Sequence, residues 1–468
     1  MTSMGETYVK FDTNDLLLKK LCDSADKKSK LNLKRFGDQK VLIEGGGYEK
    51  VWLETQPMGG AMYAKRDMEA AVNNQKIFMD CQREDGRLPG SIEYKDGKII
   101  PQFDKFQGFC FAEPALDVYY LAGKDKSYLE QLYETLRRFD EYLWKVRDSD
   151  NDGCLESWCV YDTGEDNAVR YGDAPNYWEK DTPPEGYEKV PIASMDFMGY
   201  SYSSRKVMKE IALLLGNKEA SEKHRRDAEI VRNKIRDYLW NEEKGAFFDR
   251  DKNHNIMPSL LHNNLRLMYW KCMAASDAIR FVNEHLLNPE EFWTQMPLPS
   301  VAANDPLFRN DEVNSWSGQS QALTFQRAIR ALENYGYYEM IPKLGNKLFE
   351  AVGDDCVFVQ QYDPFTMKPS LIGVSGEQDA YGPAMLAVLE YMGRMYGVDV
   401  CRDRLIWGAT KGPDAYYEQF WNGHKYRIEN DKYKAFAFID DREIFSCDRG
   451  CRIETDLNGK VLVKYSGF

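Results

Sequence analysis

Histidine is scarce in this chain of 468 residues. There are five, His224, His254, His262, His285 and His424, far apart and never in an HExxH-like spacing. That excludes chemistry built on a histidine cluster or a zinc-binding helix. The ten cysteines are scattered and none lies in a CxxC, which excludes a zinc ribbon and a dithiol redox motif. Reduced thiols in a cytoplasmic protein are the simplest account, with Cys154–Cys159 and Cys447–Cys451 as the alternative bridged pairs. No stretch approaches the roughly 18 apolar residues of a membrane span. The first residues, Met1 to Asp15, show no basic segment leading into an apolar run, so no signal peptide is read. Positive charge is in deficit, 62 Lys+Arg against 75 Asp+Glu, for a net charge of -13. This excludes a basic face that grips nucleic-acid phosphates and adsorption to anionic membranes. A homo-oligomer stays open.

What is abundant is aromatic: 29 Tyr, 23 Phe and 10 Trp. The most informative stretch is Tyr161 to Tyr171, YDTGEDNAVRY, which follows the turn-forming run Asp148 to Glu156. It places carboxylates, an amide and an arginine on one loop flanked by Trp158, Tyr177 and Trp178. Carboxylates amid aromatic rings suit sugar chemistry. A carboxyl with a raised pKa protonates a glycosidic oxygen, and flat rings cover the apolar faces of a pyranose. Asp148 to Gly153 also matches half of a calcium loop, but Cys159 stands where a bidentate glutamate is needed. An Asx-turn is the preferred reading, and no metal or cofactor is assigned.

Helical periodicity dominates to about residue 400. The expected helices are Asp15 to Ser24, Met62 to Met79, Ala112 to Leu121, Tyr128 to Val146, Ile192 to Leu215, Ala220 to Trp240, Leu260 to Met273, Ala275 to Leu286, Gly318 to Leu332, Tyr337 to Val352 and Ala380 to Met395. They come in pairs joined by short Gly, Pro or Asn turns. Long aromatic and polar segments, residues 41–61, 85–110, 148–190, 289–317 and 354–379, recur on alternate connections. A toroid of inner and outer helices makes this pattern, with the long loops gathered at one end. The tail switches to alternation, and Asn458-Gly459 is a hairpin signal between Arg452–Asp456 and Lys460–Tyr465. The expected organisation is therefore a mainly α domain over 1–402, an (α/α)6 barrel, and a small β-domain over 403–468.

The segment Thr163-Gly164-Glu165-Asp166-Asn167 resembles the general-acid loop of inverting (α/α)6-barrel glycoside hydrolases of families 63 and 37, the mannosylglycerate hydrolase-like and trehalase-like enzymes. Further segments are similar to theirs in the same order: Trp240 with Gly245-Ala246-Phe247-Phe248-Asp249, Leu298-Pro299-Ser300 leading to Ser315-Trp316-Ser317-Gly318-Gln319, and Tyr362-Asp363-Pro364-Phe365-Thr366. The resemblance spans roughly residues 45 to 400. It implies Asp166 as the general acid. Two departures stand out. Gln360 occupies the position of the families' catalytic glutamate, and an amide cannot take the proton from water. The families' Trp-Asp pair is replaced by Trp52-Leu53-Glu54-Thr55-Gln56. Glu377, in the loop before the last inner helix, is the expected replacement base.

The resemblance implies an inverting, exo-acting hydrolase of small α-linked gluco- or manno-configured glycosides. Trp52, Glu54, Gln56, Arg87, Asn167, Arg170, Trp316, Gln319, Tyr362 and Tyr381 are its expected substrate contacts. Two alternatives stay open: an inverting glycoside phosphorylase, in which phosphate replaces the base, and a non-catalytic carbohydrate-binding barrel. A sugar epimerase on this scaffold would need paired histidines that the chain does not supply.

Overall fold

The computed structural model describes residues 5–108, 110–370 and 378–468. Among them are twelve α-helices: α1 Leu16–Ser29, α2 Gln56–Tyr63, α3 Met68–Asp80, α4 Ala112–Leu121, α5 Lys126–Val146, α6 Met195–Leu214, α7 Lys218–Leu239, α8 Asn263–Tyr269, α9 Ala275–Phe281, α10 Ala322–Glu333, α11 Met340–Val352 and α12 Gly382–Tyr396. Short polar side chains start many of them by taking up free amides of the first turn. Asp15 accepts from Leu18 N, Asp67 from Ala70 N, Asp125 from Tyr128 N and Asn217 from Ala220 N.

Burial separates the helices into two classes. In α10 and α12 nearly every residue is buried, as befits helices surrounded by protein. In α7 only a stripe is buried, Ser221, His224, Ala228, Val231, Ile235 and Leu239, recurring every three or four residues. The even-numbered helices are the inner class. α2 packs on α4, α4 on α6, α6 on α8, α8 on α10, α10 on α12, and α12 back on α2. The odd-numbered helices pack outside, for example α7 on α6, α3 on α2 and α11 on α12.

The sequence pattern merged α2 and α3 into one helix from Met62 to Met79. The structure breaks it, with α2 beginning at Gln56 and Pro57 in its first turn. The glycines that disguised α2 are there for packing. A Cβ on Gly60 would meet Asn74 of α3 at 2.7 Å, and one on Gly59 would meet Leu386 of α12 at 3.2 Å.

The C-terminal region forms two antiparallel sheets. One has five strands, in the spatial order Tyr8–Thr13, Ala415–Trp421, His424–Asn430, Lys434–Ile439 and Arg442–Asp448. The other runs Val398–Val400, Arg404–Ala409, Cys451–Asp456 and Val461–Ser466. The expected division at residue 402 thus falls between two paired strands, and the first strand of the chain completes the sheet far from it in sequence. The sheets dock on the helices through Trp421, whose indole donates to Leu121 O of α4 at 2.9 Å, and through Arg402, described below. No helix among the described residues is long and apolar enough to cross a membrane.

Candidate functional site

The first turns of α2, α6, α8, α10 and α12 lie at the same end of the helical domain as the loop carrying Asp166. The loop is assembled from below. Asx-turns fold its approach, with Cys154 N donating to Asp152 at 2.7 Å and Gly153 N to Asp148 at 3.1 Å. Asp150, Asp152 and His254 cluster on this approach. Cys159 lies elsewhere, buried, its amide donating to Asp162. Asp162 is the structural carboxylate of the loop. It is fully buried, pairs with Arg147 at 2.6 Å, and also accepts from Trp158 N and Phe106 N. Burial alone would raise its pKa, but Arg147 and the amides hold it below the ordinary range.

Gly164 then turns the chain with φ +71°, and a Cβ there would land 2.2 Å from Glu54 Oε2. Only glycine fits at this crossing. The next two carboxylates point to different fates. Glu165 turns down and accepts from His262 at 2.8 Å and Asn263 at 2.9 Å, and it forms ion pairs with Arg266 at 3.2 Å and with Arg170. Asp166 turns away from this floor and accepts from Asn314 Nδ2 at 2.7 Å. Burial raises its carboxyl to about 6, against the lowering pull of Asn314 and of Lys105. The loop is fastened across to residues 314–317. Trp316 N donates to Asp166 O at 2.9 Å, Asn167 Nδ2 to Asn314 O at 2.6 Å, and Val169 N to Ser317 Oγ at 3.0 Å.

Two further carboxyls share this end. Glu54 accepts from Arg327 at 3.1 Å, yet burial pushes its carboxyl up to about 7. Glu44 is buried and accepts from Tyr381 Oη at 3.0 Å; burial first, then the neighbouring Glu54, raise it well above the ordinary range. Gln360 lies in the same network. Its oxygen accepts from Tyr48 Oη at 2.7 Å and its amide donates to Asn314 Oδ1 at 2.8 Å. A single asparagine, Asn314, therefore bridges Asp166 and Gln360.

The structure brings Asp166, Asn167, Glu54 and Tyr381 into this network. Trp52 borders it as a half-buried ring in edge contact with Tyr48 at 6.2 Å. Other candidates serve the framework. Arg170 is buried and pairs with Asp249 at 2.5 Å and Asp196 at 2.9 Å. Gln56 accepts from Trp52 N at 2.9 Å. Gln319 is bonded to Asn310, Gln361 and Ser370. Tyr362 is fully buried in the core. Arg87 is also fully buried, its guanidinium stacked 4.5 Å from the Phe106 ring centre and 4.0 Å from the nearest carboxylate, Asp181. Trp316 is buried too, its ring 5.4 Å from that of His262. Glu377 lies outside the described residues.

Sequence reasoning missed Glu44, Tyr48, Lys105 and Asn314. One signal was present for Glu44, the run Gly45-Gly46-Gly47 that follows it. All three have positive φ, and a Cβ on Gly46 would strike Tyr381 at 2.9 Å.

A family model described as the mannosylglycerate hydrolase MGH1-like glycoside hydrolase domain matches residues 56–378, and the chain belongs to that family. Solved structures resemble it in fold. A family 63 mannosylglycerate hydrolase from Thermus thermophilus, solved with Tris, superposes with a TM-score of 0.65 at 16% identity, covering 79% of this chain and 100% of its own. Neutral trehalase from Saccharomyces cerevisiae gives a TM-score of 0.56 at 13% identity, covering 79% of this chain and 80% of its own. An α-L-rhamnosidase from Dictyoglomus thermophilum gives 0.61 at 14% identity and covers 93% of this chain but 44% of its own. The rhamnosidase match thus takes in more of this chain than the other two.

Proposed function

We propose that this member of the MGH1-like glycoside hydrolase family is an inverting, exo-acting hydrolase of small α-linked gluco- or manno-configured glycosides, built on an (α/α)6 toroid with Asp166 as general acid. The closed circuit of six inner helices supports the toroid. The observation that carries the chemistry is the contrast within one loop. Glu165 is surrounded by cations, whereas Asp166, the next residue, is raised to about 6 and bonded to a neutral amide. A carboxyl so poised is protonated in slightly acidic solution and gives its proton to the leaving oxygen as the glycosidic bond breaks.

Inversion also needs an ionised carboxylate that draws a proton from water on the far side of the sugar. Gln360 cannot serve. Glu54 and Glu44 are poor bases for the same physical reason that Asp166 is a good acid: burial favours their protonated forms. We therefore retain Glu377 as the base. Glu54 and Glu44 are assigned to sugar hydroxyls, which a neutral carboxyl meets as both donor and acceptor. Trp52, Asn167 and Tyr381 are assigned beside them as substrate contacts.

One observation favours a second reading. With Gln360 fixed by Tyr48 and Asn314 as a neutral amide, an attacking phosphate would need no carboxylate base, which is the phosphorylase alternative. Proton NMR of the first product formed from α-linked glycosides separates the two. Release of the free β-anomer without phosphate supports the hydrolase with Glu377 as base, and Glu377→Gln should then lose turnover. Turnover that appears only with phosphate and yields a sugar 1-phosphate overturns it. A protein that binds sugars and turns over none is the carbohydrate-binding barrel.

A further inference from the structure

Gln360 has no role in the mechanism above, yet its amide closes a ring of hydrogen bonds. Tyr48 Oη donates to Gln360 Oε1 at 2.7 Å, Gln360 Nε2 donates to Asn314 Oδ1 at 2.8 Å, and Asn314 Nδ2 donates back to Tyr48 Oη at 3.0 Å. Each member gives one bond and receives one, so all three run the same way round and polarise one another. One donor is left over, the second N–H of Asn314 Nδ2, and it goes to Asp166 Oδ2 at 2.7 Å. The members come from three separate loops and are fixed by their own backbones and neighbours. Asn314 O accepts from Asn167 Nδ2 at 2.6 Å, Gln360 O accepts from Ala322 N at 2.8 Å, and the Tyr48 ring lies 6.2 Å from both Trp52 and Tyr381.

The direction of the ring decides what Asp166 meets. As it runs, Asn314 presents an N–H, so Asp166 Oδ2 is an acceptor and the acidic proton is left to Oδ1. When that proton passes to the leaving oxygen, negative charge grows on the carboxyl, and a donor already in place receives it without rearrangement. Run backwards, the ring would turn the Asn314 amide over and set a carbonyl against Oδ2. Direction therefore depends on position 360 having both a donor and an acceptor, which an amide has and a carboxylate lacks. A carboxylate there would accept from Tyr48 and draw the Asn314 N–H away from Asp166.

We propose that Gln360 is a positioning residue for the general acid: through Asn314 it fixes which oxygen of Asp166 carries the proton and presets the donor that receives the charge left behind. A glutamine is thus the fitting residue here rather than a lost base. The proposal rests on the hydrolase reading for the role of Asp166, but the coupling of the ring to Asp166 is measurable without turnover.

The test follows kcat and KM against pH on one α-glycoside for the wild type, Gln360→Glu, Asn314→Leu and Tyr48→Phe. In parallel, carbon NMR of protein labelled at the aspartate side-chain carboxyls follows the Asp166 titration, identified as the resonance missing from Asp166→Asn. The other groups that face Asp166 are Lys105, whose charge lowers it, the carboxyls of Glu44 and Glu54, for which burial favours the neutral form, and the phenols of Tyr48, Tyr161 and Tyr177, raised by burial. None of these is altered in Gln360→Glu or Asn314→Leu. Both variants should lower kcat at least about tenfold with little change in KM, and both should move the Asp166 titration and the alkaline limb upward by about one pH unit, because the donor that favours the ionised form is gone. The loss in Gln360→Glu should shrink as pH falls, since a protonated carboxyl again gives one bond and receives one and restores the ring. Tyr48→Phe opens the ring but leaves Gln360 on Asn314, so its loss should be smaller. A Gln360→Glu protein as active as the wild type or more so would show that the position still suits a base, and would overturn the proposal. So would an Asp166 titration that neither Gln360→Glu nor Asn314→Leu moves. If Asp166→Asn keeps full turnover while the ring variants still shift the titration, the hydrolase reading of Asp166 fails and the coupling stands.

Discussion

The inner helices carry carboxylates at both ends, and the two ends treat them in opposite ways. At the far end, where these helices finish, a cavity of about 540 Å³ lies against the C-terminal sheets. Arg402, on the hairpin between the strands Val398–Val400 and Arg404–Ala409, reaches into it. It pairs with Glu113 at 2.7 Å, Asp117 at 2.7 Å and Glu210 at 3.0 Å. Lys65 pairs with Glu390 at 2.8 Å and Asp399 at 2.7 Å, and Arg394 brings a second cation to Asp399 at 3.0 Å. Burial would raise Asp117 and Asp399, but the arginines and Lys65 hold both below the ordinary range. At the acid end the arginines stand one layer deeper. Arg170 and Arg266 are taken up by Glu165, Asp196 and Asp249. Burial then outweighs the lowering pull of Asn314 and Lys105 on Asp166 and of Tyr381 and Thr55 on Glu44, and it prevails at Glu54 against Arg327 and Arg266. At Asp117 and Asp399 the touching cations outweigh burial, at Glu54 and Asp249 burial outweighs an arginine contact, and at Asp166 no cation among the described residues is in contact at all.

The comparison breaks most sharply in activity. Asp166→Asn should lower kcat/KM by about 10²–10⁴-fold, the usual worth of a general acid. Asp117→Asn at the other end should leave kcat/KM of the folded protein within about threefold, because it stabilises the fold and touches no reacting atom. Steady-state kinetics on one α-glycoside measures both. Comparable losses in the two variants would remove the functional distinction between the ends.

Stability should respond in the reverse sense. Arg402→Ala leaves three carboxylates without their shared cation and should cost about 3–5 kcal/mol in denaturant unfolding. A cost below about 1 kcal/mol would mean that water already screens these pairs.

A smaller effect carries opposite signs. The folded-state pKa of Asp166 is raised from the ordinary 3.8 to about 6. Between those values the native state holds the extra proton, so stability falls as pH rises through this window and the penalty is complete above it. Asp166→Asn should therefore stabilise the protein at pH 8 by about 1–2 kcal/mol, after allowance for solvent at a half-buried group. Asp117 is depressed instead. Its contribution is present above the unfolded pKa and is lost as pH falls through the folded one, so Asp117→Asn should destabilise at pH 8. Melting curves of both variants at pH 8 and pH 4 test the pair. Equal signs at pH 8 would contradict the account.

The sequence disclosed elements whose evidence is local. The acid loop announced itself through adjacent carboxylates between turn residues and aromatics, the outer helices through their apolar stripes, and the last hairpin through Asn458-Gly459. What stayed hidden depended on distant partners. α2 was disguised by Pro57, Gly59 and Gly60, whose value appears only when α3 and α12 lie against them. The strand Tyr8–Thr13 is recognisable only beside Ala415–Trp421. The opposite fates of Glu165 and Asp166 were invisible, because the residues that decide them, His262, Asn263, Arg266 and Asn314, are about 100 or more positions away. Arg170 is expected from the sequence among the substrate contacts, but its charge is taken by three acids in the floor.

The central claim is that burial, unopposed by a touching cation, holds Asp166 as a proton donor. The pH dependence of kcat/KM tests it most directly, since that profile reports the free enzyme. The account predicts an alkaline limb of unit slope centred near pH 6, with an acid limb only at lower pH, where the carboxylate base takes up a proton. A profile that instead falls below pH 6 and stays level above it would show that the essential group at Asp166 works ionised, and would contradict the account.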